Sequence, residues 1–268
     1  MPGLPLSPGG WGLPKGGGDP FLTTRTTTCP SGSGAPRYSL LDLDGDGRED
    51  LVITGTCGAG GDPGLTHWLF HANSGTGFAS PVSWPLPSGY TGGFPDIETI
   101  GCTTSAARRF RTFDIDGDAR PDLVITSECT GTGAVGLTHW IVHLNTGTGF
   151  ASTATTFALP SYAGRFDEVG ETSCSGAEPR HALLDADGDL DPDLVVTSLC
   201  DESMLVGRTR WLVHLNDGTR FAASAVDYML PSGFLGLAFR PRAARAARSP
   251  AHRATRRPTS TATASRIS

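Results

Sequence analysis

The sequence lacks any long hydrophobic run. Its apolar residues fall in short stretches such as LVIT, WLFH and WIVH, far shorter than the ~18 consecutive apolar residues that a membrane-spanning helix needs. The opening residues, MPGLPLSPGG, have neither the basic start nor the apolar core of a signal peptide. We therefore expect no membrane span, and this stretch does not indicate a secretion signal.

Enzyme motifs are also missing from the sequence. It contains no G-x-S-x-G, no H-E-x-x-H, no P-loop and no G-x-G-x-x-G that opens a helix. These patterns mark common hydrolase, nucleotide and dinucleotide sites. Carboxylates do cluster, but their spacing suits cation ligands better than an acid–base pair. The sequence therefore favours a protein that is not an enzyme.

Negative charge is absent from the end of the chain. The whole chain has 27 acidic and 21 basic residues and a net charge of -6. From residue 240 to 268, however, there are eight Arg and no Asp or Glu. The acidic excess therefore lies in residues 1–239, which argues against nucleic-acid binding there and for cation binding.

Glycine and proline are abundant, with 36 Gly and 20 Pro among 268 residues. This turn-rich composition favours an all-β protein over a helical one. The short apolar stretches are rich in β-branched and aromatic residues, and Gly, Pro, Asn, Asp or Ser brackets them. This combination is the sequence signal of short strands.

An acidic string occurs three times, as DLDGDGREDL from Asp42, DIDGDARPDL from Asp114 and DADGDLDPDL from Asp185. Segments such as GLTHWLFHANSGTGFA and PLPSGY follow each string at nearly constant spacing. Each unit is predicted to have four strands: an apolar lead-in, a strand after the acidic loop, the HWLFHAN-type segment and a strand from FASPVSW. Tandem strands this short predict an array whose units bury their faces on one another. Separate small β domains are the alternative.

The spacing of these segments divides the chain into five parts. The predicted parts are the tail of a truncated preceding repeat at 1–28, complete repeats at 29–101, 102–173 and 174–235, and a basic tail at 236–268.

The acidic strings have the spacing of a metal-binding loop. In the first string, Asp42, Asp44, Asp46 and Asp50 occupy loop positions 1, 3, 5 and 9, and Arg48 at position 7 can offer its main-chain carbonyl. Glycines let the chain curl so that the carboxylates converge. Hard oxygen ligands gathered in this way suit calcium, about one ion per repeat. The corresponding residues of the other two strings are Asp114, Asp116, Asp118, Arg120 and Asp122, and Asp185, Asp187, Asp189, Asp191 and Asp193.

Other interpretations of these strings are weaker. An EF-hand needs a bidentate Glu at position 12, where this sequence has Ile53, Ile125 or Val196. Magnesium prefers fewer protein ligands and retained water. A solvated acidic turn that binds nothing tightly remains the alternative. Ala119 and Leu190 stand where the first string has Gly47, which predicts strain in two of the turns but removes no ligand.

The pattern DxDGDGxxDL followed by W-x-x-H-x-N-x-G-x-x-F resembles the FG-GAP (VCBS-type) repeat of integrin-like β-propellers. The resemblance covers about residues 29–234. It implies one four-stranded blade per repeat, with calcium in the loop between the first two strands. The repeats here are longer than usual for that family, and their cysteine pairs are not part of its pattern. The expected fold is a β-propeller-like array of three complete blades in an incomplete ring, which missing blades or another chain would complete.

Six cysteines occur as three regular pairs, which predicts disulfides and an oxidising, extracellular location. No C-x-x-C spacing supports zinc. Pairing within a unit would tie the segment that enters a hairpin to the end of its second strand; pairing between units, such as Cys57–Cys102, is the alternative. The favoured pairs are Cys29–Cys57, Cys102–Cys129 and Cys174–Cys200.

Histidine and tryptophan alternate in the third predicted strand. His67 and His71 are four residues apart, which in a strand places them ~13 Å from each other, too far to chelate one ion. We expect His71 and its counterparts His143 and His214 to be structural. The neighbouring Trp68, Trp140 and Trp211 are predicted to pack within the blades, with a sugar-stacking surface as the alternative.

The two ends of the chain depart from the repeat. W-x-L-P with a Cys 18 residues later occurs at Trp11 and again at Trp84, so residues 11–28 match the end of a unit whose beginning is absent. The Arg-rich tail after residue 235 fits a fourth repeat translated in a shifted reading frame, since back-translation permits DLDGDGVPDL there. A basic, disordered tail is the alternative.

The function expected from these features is that of a secreted, calcium-stabilised binding or adhesion module. Its partner would be a protein or a glycan, recognised through loops on one rim, with no nucleic acid bound. The alternatives are an accessory or substrate-binding part of a larger secreted enzyme that acts on polysaccharides, and an inactive gene fragment.

Overall fold

In the computed structural model the protein is all-β. The structure describes residues 23–27, 35–57, 63–102, 107–130, 132–174, 178–200 and 205–231. These residues form three antiparallel sheets of four or five strands and no helix. Consecutive strands are neighbours in every sheet, so each sheet is a simple meander.

The first sheet shows how the sequence forms these elements. Its strands are β1 (Arg25–Thr26), β2 (Pro36–Leu41), β3 (Asp50–Thr56), β4 (His67–His71) and β5 (Val82–Pro85). The central strand β3 is buried on both faces, which explains its continuous apolar run LVIT. The edge strand β5 is exposed except at one residue, because only one of its faces meets the core.

The other two sheets repeat this arrangement. The second contains β6 (Glu98–Thr99), β7 (Arg109–Phe113), β8 (Asp122–Ser127), β9 (His139–His143) and β10 (Thr155–Ala158). The third contains β11 (Arg180–Leu184), β12 (Asp193–Ser198), β13 (Arg210–His214) and β14 (Val226–Met229). The four strands predicted for each unit are therefore present in all three.

Two of the sheets have a short additional edge strand that the sequence did not predict. β1 pairs with β2, and β6, which lies before Cys102, pairs with β7. In the third sheet a single bridge between Glu171 and His181 takes this place. Two-residue strands have no periodicity, so no sequence pattern could reveal them.

The hydrophobic core lies between neighbouring sheets. One cluster joins Trp68 and Trp84 of the first sheet to Leu123 and Phe150 of the second unit. A second cluster joins Trp140 and Phe157 to Leu194 and Phe221 in the same way. Adjacent units thus bury their apolar faces on each other, because a single four-stranded sheet has too little core of its own.

The tryptophans of β4 and β9 belong to this core. Trp68 and Trp140 are fully buried, and their indole N–H groups each donate to a carbonyl 2.7 Å away, of Phe94 and Phe166. A sugar-stacking role is wrong for both residues, since a sugar needs an exposed ring. Trp211 of β13 is half-buried.

Two of the predicted disulfides are present. Cys102 pairs with Cys129, and Cys174 pairs with Cys200, with Cα atoms 5.4 Å and 5.5 Å apart. Cys57 is also disulfide-bonded, but its predicted partner Cys29 lies outside the described residues. The match of residues 11–28 to the end of a repeat, apart from residues 23–27, and the shifted-frame tail at 236–268 fall outside them as well.

Candidate metal centre

Three carboxylates meet in the loop between the first two long strands of each unit. Within each group, one oxygen from every carboxylate lies within 4.8 Å of the others, so the group could hold a metal ion. The groups are site 1 (Asp42, Asp44, Asp50), site 2 (Asp114, Asp116, Asp122) and site 3 (Asp185, Asp187, Asp193).

The loop is shaped by its own first aspartate. Asp42 accepts hydrogen bonds from the main-chain N–H groups of Gly45 and Gly47, at 3.0 Å and 2.8 Å. Such side-chain to main-chain bonds are the usual way in which Asp stabilises a tight turn. They draw the chain into a curl that brings position 3, Asp44, towards Asp42.

The aspartate at position 9 begins the second long strand and is completely buried in all three units. The two oxygens of Asp50 accept hydrogen bonds from the main-chain N–H groups of Leu43 and Asn73, at 3.0 Å and 2.8 Å. Burial nevertheless raises the pKa of Asp50 to about 6 and that of Asp122 to about 7. Removing a carboxylate from water disfavours its charged form, and a bound cation would offset that penalty.

An orphaned polar atom in site 2 fits a bound cation. Oδ1 of Asp116 is buried and has no hydrogen-bond partner within the described part of the chain. Burial of an unpaired carboxylate oxygen is costly unless a proton donor or a cation meets it. The donor set, three carboxylates that converge on one point, is the kind that hard divalent cations prefer.

The aspartates at position 5 do not join these groups. Asp46 pairs with Arg48, and Asp118 pairs with Arg120, two residues further along the same loop. The structure thus brings positions 1, 3 and 9 together, whereas the sequence predicted position 5 as well. The reason in these two loops is that each carboxylate is already neutralised by an arginine that the sequence places at position 7. In the third loop Asp189 is also outside the group.

The side chains at position 7 turn towards other partners. Arg48 donates through Nε to the carbonyl of Asn73 at 2.7 Å, and Arg120 does the same to Asn145 at 3.2 Å. In the third loop, Asp191 lies against the main chain of Gly117 in the second loop. The acidic loops of the second and third units are therefore direct neighbours.

Asparagine is the residue type that the sequence prediction missed. Asn73, Asn145 and Asn216 each follow the buried aspartate by 23 residues and donate their main-chain N–H to it. The side chain of Asn145 also reaches the acidic loop of the preceding unit, where it donates to the carbonyl of Leu43 at 2.8 Å. The constant Asn in W-x-x-H-x-N was the only available signal, and it did not reveal a contact between units.

The histidines are structural, as predicted. Nδ1 of His143 lies 2.8 Å from the carbonyl of Ala151, and Nε2 lies 2.8 Å from the hydroxyl of Tyr90 in the preceding unit. His214 repeats this arrangement with Ala222 and Tyr162. The carbonyl requires Nδ1 to carry the proton, so each neutral ring accepts from tyrosine through Nε2.

No known family matches the chain, and no curated protein matches it. A Tc holotoxin pore from Photorhabdus luminescens has 22% identity and a TM-score of 0.42, over 76% of this chain and 7% of that chain. A lectin from Agrocybe aegerita that recognises non-reducing terminal N-acetylglucosamine has 18% identity and a TM-score of 0.36, over 70% of this chain and 36% of the lectin. Similarity at this level supports no inference about function. In the described part of the chain, no helix has the length and apolar character to cross a membrane.

Proposed function

We propose that the protein is a secreted, calcium-binding β-propeller segment of the FG-GAP (VCBS) type that acts as a non-catalytic binding module. The observation that carries the proposal is the threefold recurrence of one carboxylate group at one position of three similar sheets. In all three groups the buried aspartate accepts main-chain hydrogen bonds from the same two positions, so the repeats preserve one arrangement of the carboxylates.

Calcium is the cation that best suits these groups. Each group supplies three carboxylates, and main-chain carbonyls of the loop would supply further hard oxygen ligands. Calcium accepts 6–8 oxygens in flexible geometry, whereas magnesium demands a strict octahedron and keeps most of its water. Each group also gathers three carboxylates, more than the one or two through which magnesium is usually bound.

The proposed role of the ion is structural. The buried aspartate of each group begins the second long strand and also receives an N–H group from the turn after the third, as Asp50 does from Asn73. An ion held by that aspartate therefore fixes the loop between the first two strands relative to the rest of the sheet. The disulfides support an oxidising, extracellular location. The partner we propose is a protein or a glycan that contacts loops on one rim.

Calcium titration by calorimetry of the full chain tests this proposal. We expect saturable binding of about one ion per group, a higher melting temperature with calcium than with chelator, and a much weaker response to magnesium. The triple variant D44N/D116N/D187N should lose binding.

The control is D227N, which removes one acid from β14 outside the loops and should bind normally. Absence of calcium binding, together with a melting temperature that chelator does not change, would refute the metal assignment.

A further inference from the structure

We infer that the three metal sites are energetically coupled, and that Asn145 and Asn216 carry the coupling from one repeat to the next. The inference rests on the proposed function, because it requires that the sites bind calcium. Coupling here means that the affinity of each site for calcium depends on whether the neighbouring site is occupied.

The first connection runs from site 1 to site 2 through continuous hydrogen bonds. Leu43, which lies between two ligands of site 1, donates its N–H to Oδ2 of Asp50 at 3.0 Å. Its carbonyl accepts from Nδ2 of Asn145 at 2.8 Å. Asn145 then donates its own main-chain N–H to Oδ1 of Asp122, a ligand of site 2, at 2.7 Å.

The second connection repeats the first one repeat further along. Ile115 donates to Oδ2 of Asp122 at 3.1 Å and accepts from Nδ2 of Asn216 at 2.7 Å. Asn216 donates its main-chain N–H to Oδ1 of Asp193 in site 3 at 2.8 Å. Asp122 therefore takes part in both connections: its Oδ1 belongs to the first and its Oδ2 to the second.

Water cannot easily interrupt these connections. Leu43, Ile115 and Asp122 have no exposed surface, and Asn145 is only 2% exposed. The amide of Asn145 is further fixed because its Oδ1 accepts from the N–H of Gly147 at 2.8 Å. Hydrogen bonds in such a dry environment are strong and polarise one another.

The expected coupling is positive. An ion in site 2 fixes Asp122, which fixes Asn145, which in turn holds the Leu43 peptide between the ligands of site 1. The loop of site 1 then loses less conformational freedom when its own ion binds. The buried, unpaired Oδ1 of Asp116 indicates that site 2 gains a missing partner when it fills. Coupling between sites of this kind is typically at least about fivefold in affinity.

The first repeat supplies a matched control. Nδ2 of Asn73 donates to the carbonyl of Glu49 in its own loop at 2.9 Å, and in the described part of the chain it reaches no acidic loop of another unit. Substitution of Asn73 thus removes the local contacts of this asparagine type. It leaves the connection between sites 1 and 2 in place.

The experiment is calcium titration by calorimetry of full-chain variants. D187N retains sites 1 and 2, D116N/D187N retains site 1, and D44N/D187N retains site 2. We expect D187N to bind its second calcium ion at least about fivefold more tightly than the sum of the two single-site isotherms predicts. Adding N145A to D187N should reduce its calcium affinity to that of two independent sites. Adding N73A to D187N should leave the excess affinity in place.

The outcomes separate the two proposals. If no variant binds calcium, the proposed function fails. If the single-site variants bind and D187N equals their sum, calcium binding stands and the coupling is refuted. If N145A retains the full excess affinity, the sites are coupled and the assignment of the coupling to Asn145 is refuted. If N145A does not fold, the same comparison of N216A in the D44N background, which retains sites 2 and 3, decides between these outcomes.

Discussion

At the scale of single residues, the sixth position of the acidic loop differs among the repeats: it is glycine in the first loop and a residue with a side chain in the other two. Gly47, Ala119 and Leu190 occupy equivalent places and have φ angles of 85°, 68° and 83°. This left-handed region costs a residue with a side chain about 1–2 kcal/mol. The strain predicted from the sequence is therefore present in two of the three loops.

Replacing Leu190 with Gly should stabilise the protein by about 1 kcal/mol, because it relieves the left-handed strain and removes an exposed leucine. Leu190 is 72% exposed, so the substitution leaves no cavity. Thermal unfolding in saturating calcium measures the effect.

Gly47→Ala is the matched control in the opposite direction. A methyl group built on Gly47 meets no atom within 4 Å, so any loss of stability comes from the backbone alone. An L190G protein that melts at or below the wild-type temperature would contradict the assignment of strain.

At the scale of strands, the elements that the sequence predicted are those with a strong apolar pattern. DLVITGT predicted β3 because a strand buried on both faces needs a continuous apolar run. Alternation in HWLFH predicted β4, with Trp68 and Phe70 directed into the core. β1 and β6 were not predicted because two residues define no pattern, and their pairing with β2 and β7 is determined only in the folded chain.

The candidate site was predictable to the same extent. The spacing of the acidic string predicted that Asp42, Asp44 and Asp50 would converge, because these positions are close in sequence. It did not separate Asp46 from them, because pairing with Arg48 is decided by the folded loop. Nor could it show that Asn145 contacts Leu43, a contact between residues 102 positions apart.

The disulfide of the second unit secures the β7–β8 hairpin. Cys102 precedes β7 and Cys129 follows β8, at a sequence separation of 27. A link of this length stabilises the folded state by about 3–4 kcal/mol, through its constraint on the unfolded chain. The variant C102S/C129S should lose about that amount in urea unfolding at saturating calcium.

The corresponding variant C174S/C200S provides the comparison, since its cysteines have a sequence separation of 26. We expect a loss of similar size. A loss below about 1 kcal/mol in both variants would show that the sheets alone, and not the crosslinks, constrain these hairpins.

At the scale of the whole molecule, the three sheets pack through two interfaces of the same kind. Phe150 packs edge-on against Trp68 at 5.3 Å, and Phe221 packs in the same manner against Trp140 at 5.6 Å. Main-chain hydrogen bonds accompany each contact, from Phe150 to Pro85 at 3.0 Å in the first interface. The sequence predicted that units would stack, but the residues that meet across each interface lie in different repeats and required the structure.

A tyrosine–histidine hydrogen bond spans each interface, and we expect it to make the stability of the protein depend on pH. Burial lowers the pKa of His143 and His214 below the usual value of about 6.5 in the unfolded chain. The unfolded state therefore takes up protons first as the pH falls. The stability that the neutral rings contribute is complete above pH ~6.5 and is lost progressively below it.

Acidification from pH 7.5 to 5.5 in saturating calcium should therefore lower the unfolding free energy by up to about 1.4 kcal/mol for each of these two histidines. A protonated ring would direct a second N–H at the hydroxyl of Tyr90 or Tyr162 and lose the bond that the tyrosine donates. In H143Q/H214Q the unfolding free energy should depend less steeply on pH, whatever its absolute stability. The loop carboxylates titrate in both proteins, so the difference between the two slopes isolates the histidines. Equal slopes would show that the interfaces tolerate a charged ring and that the tyrosine contacts do not depend on its neutrality.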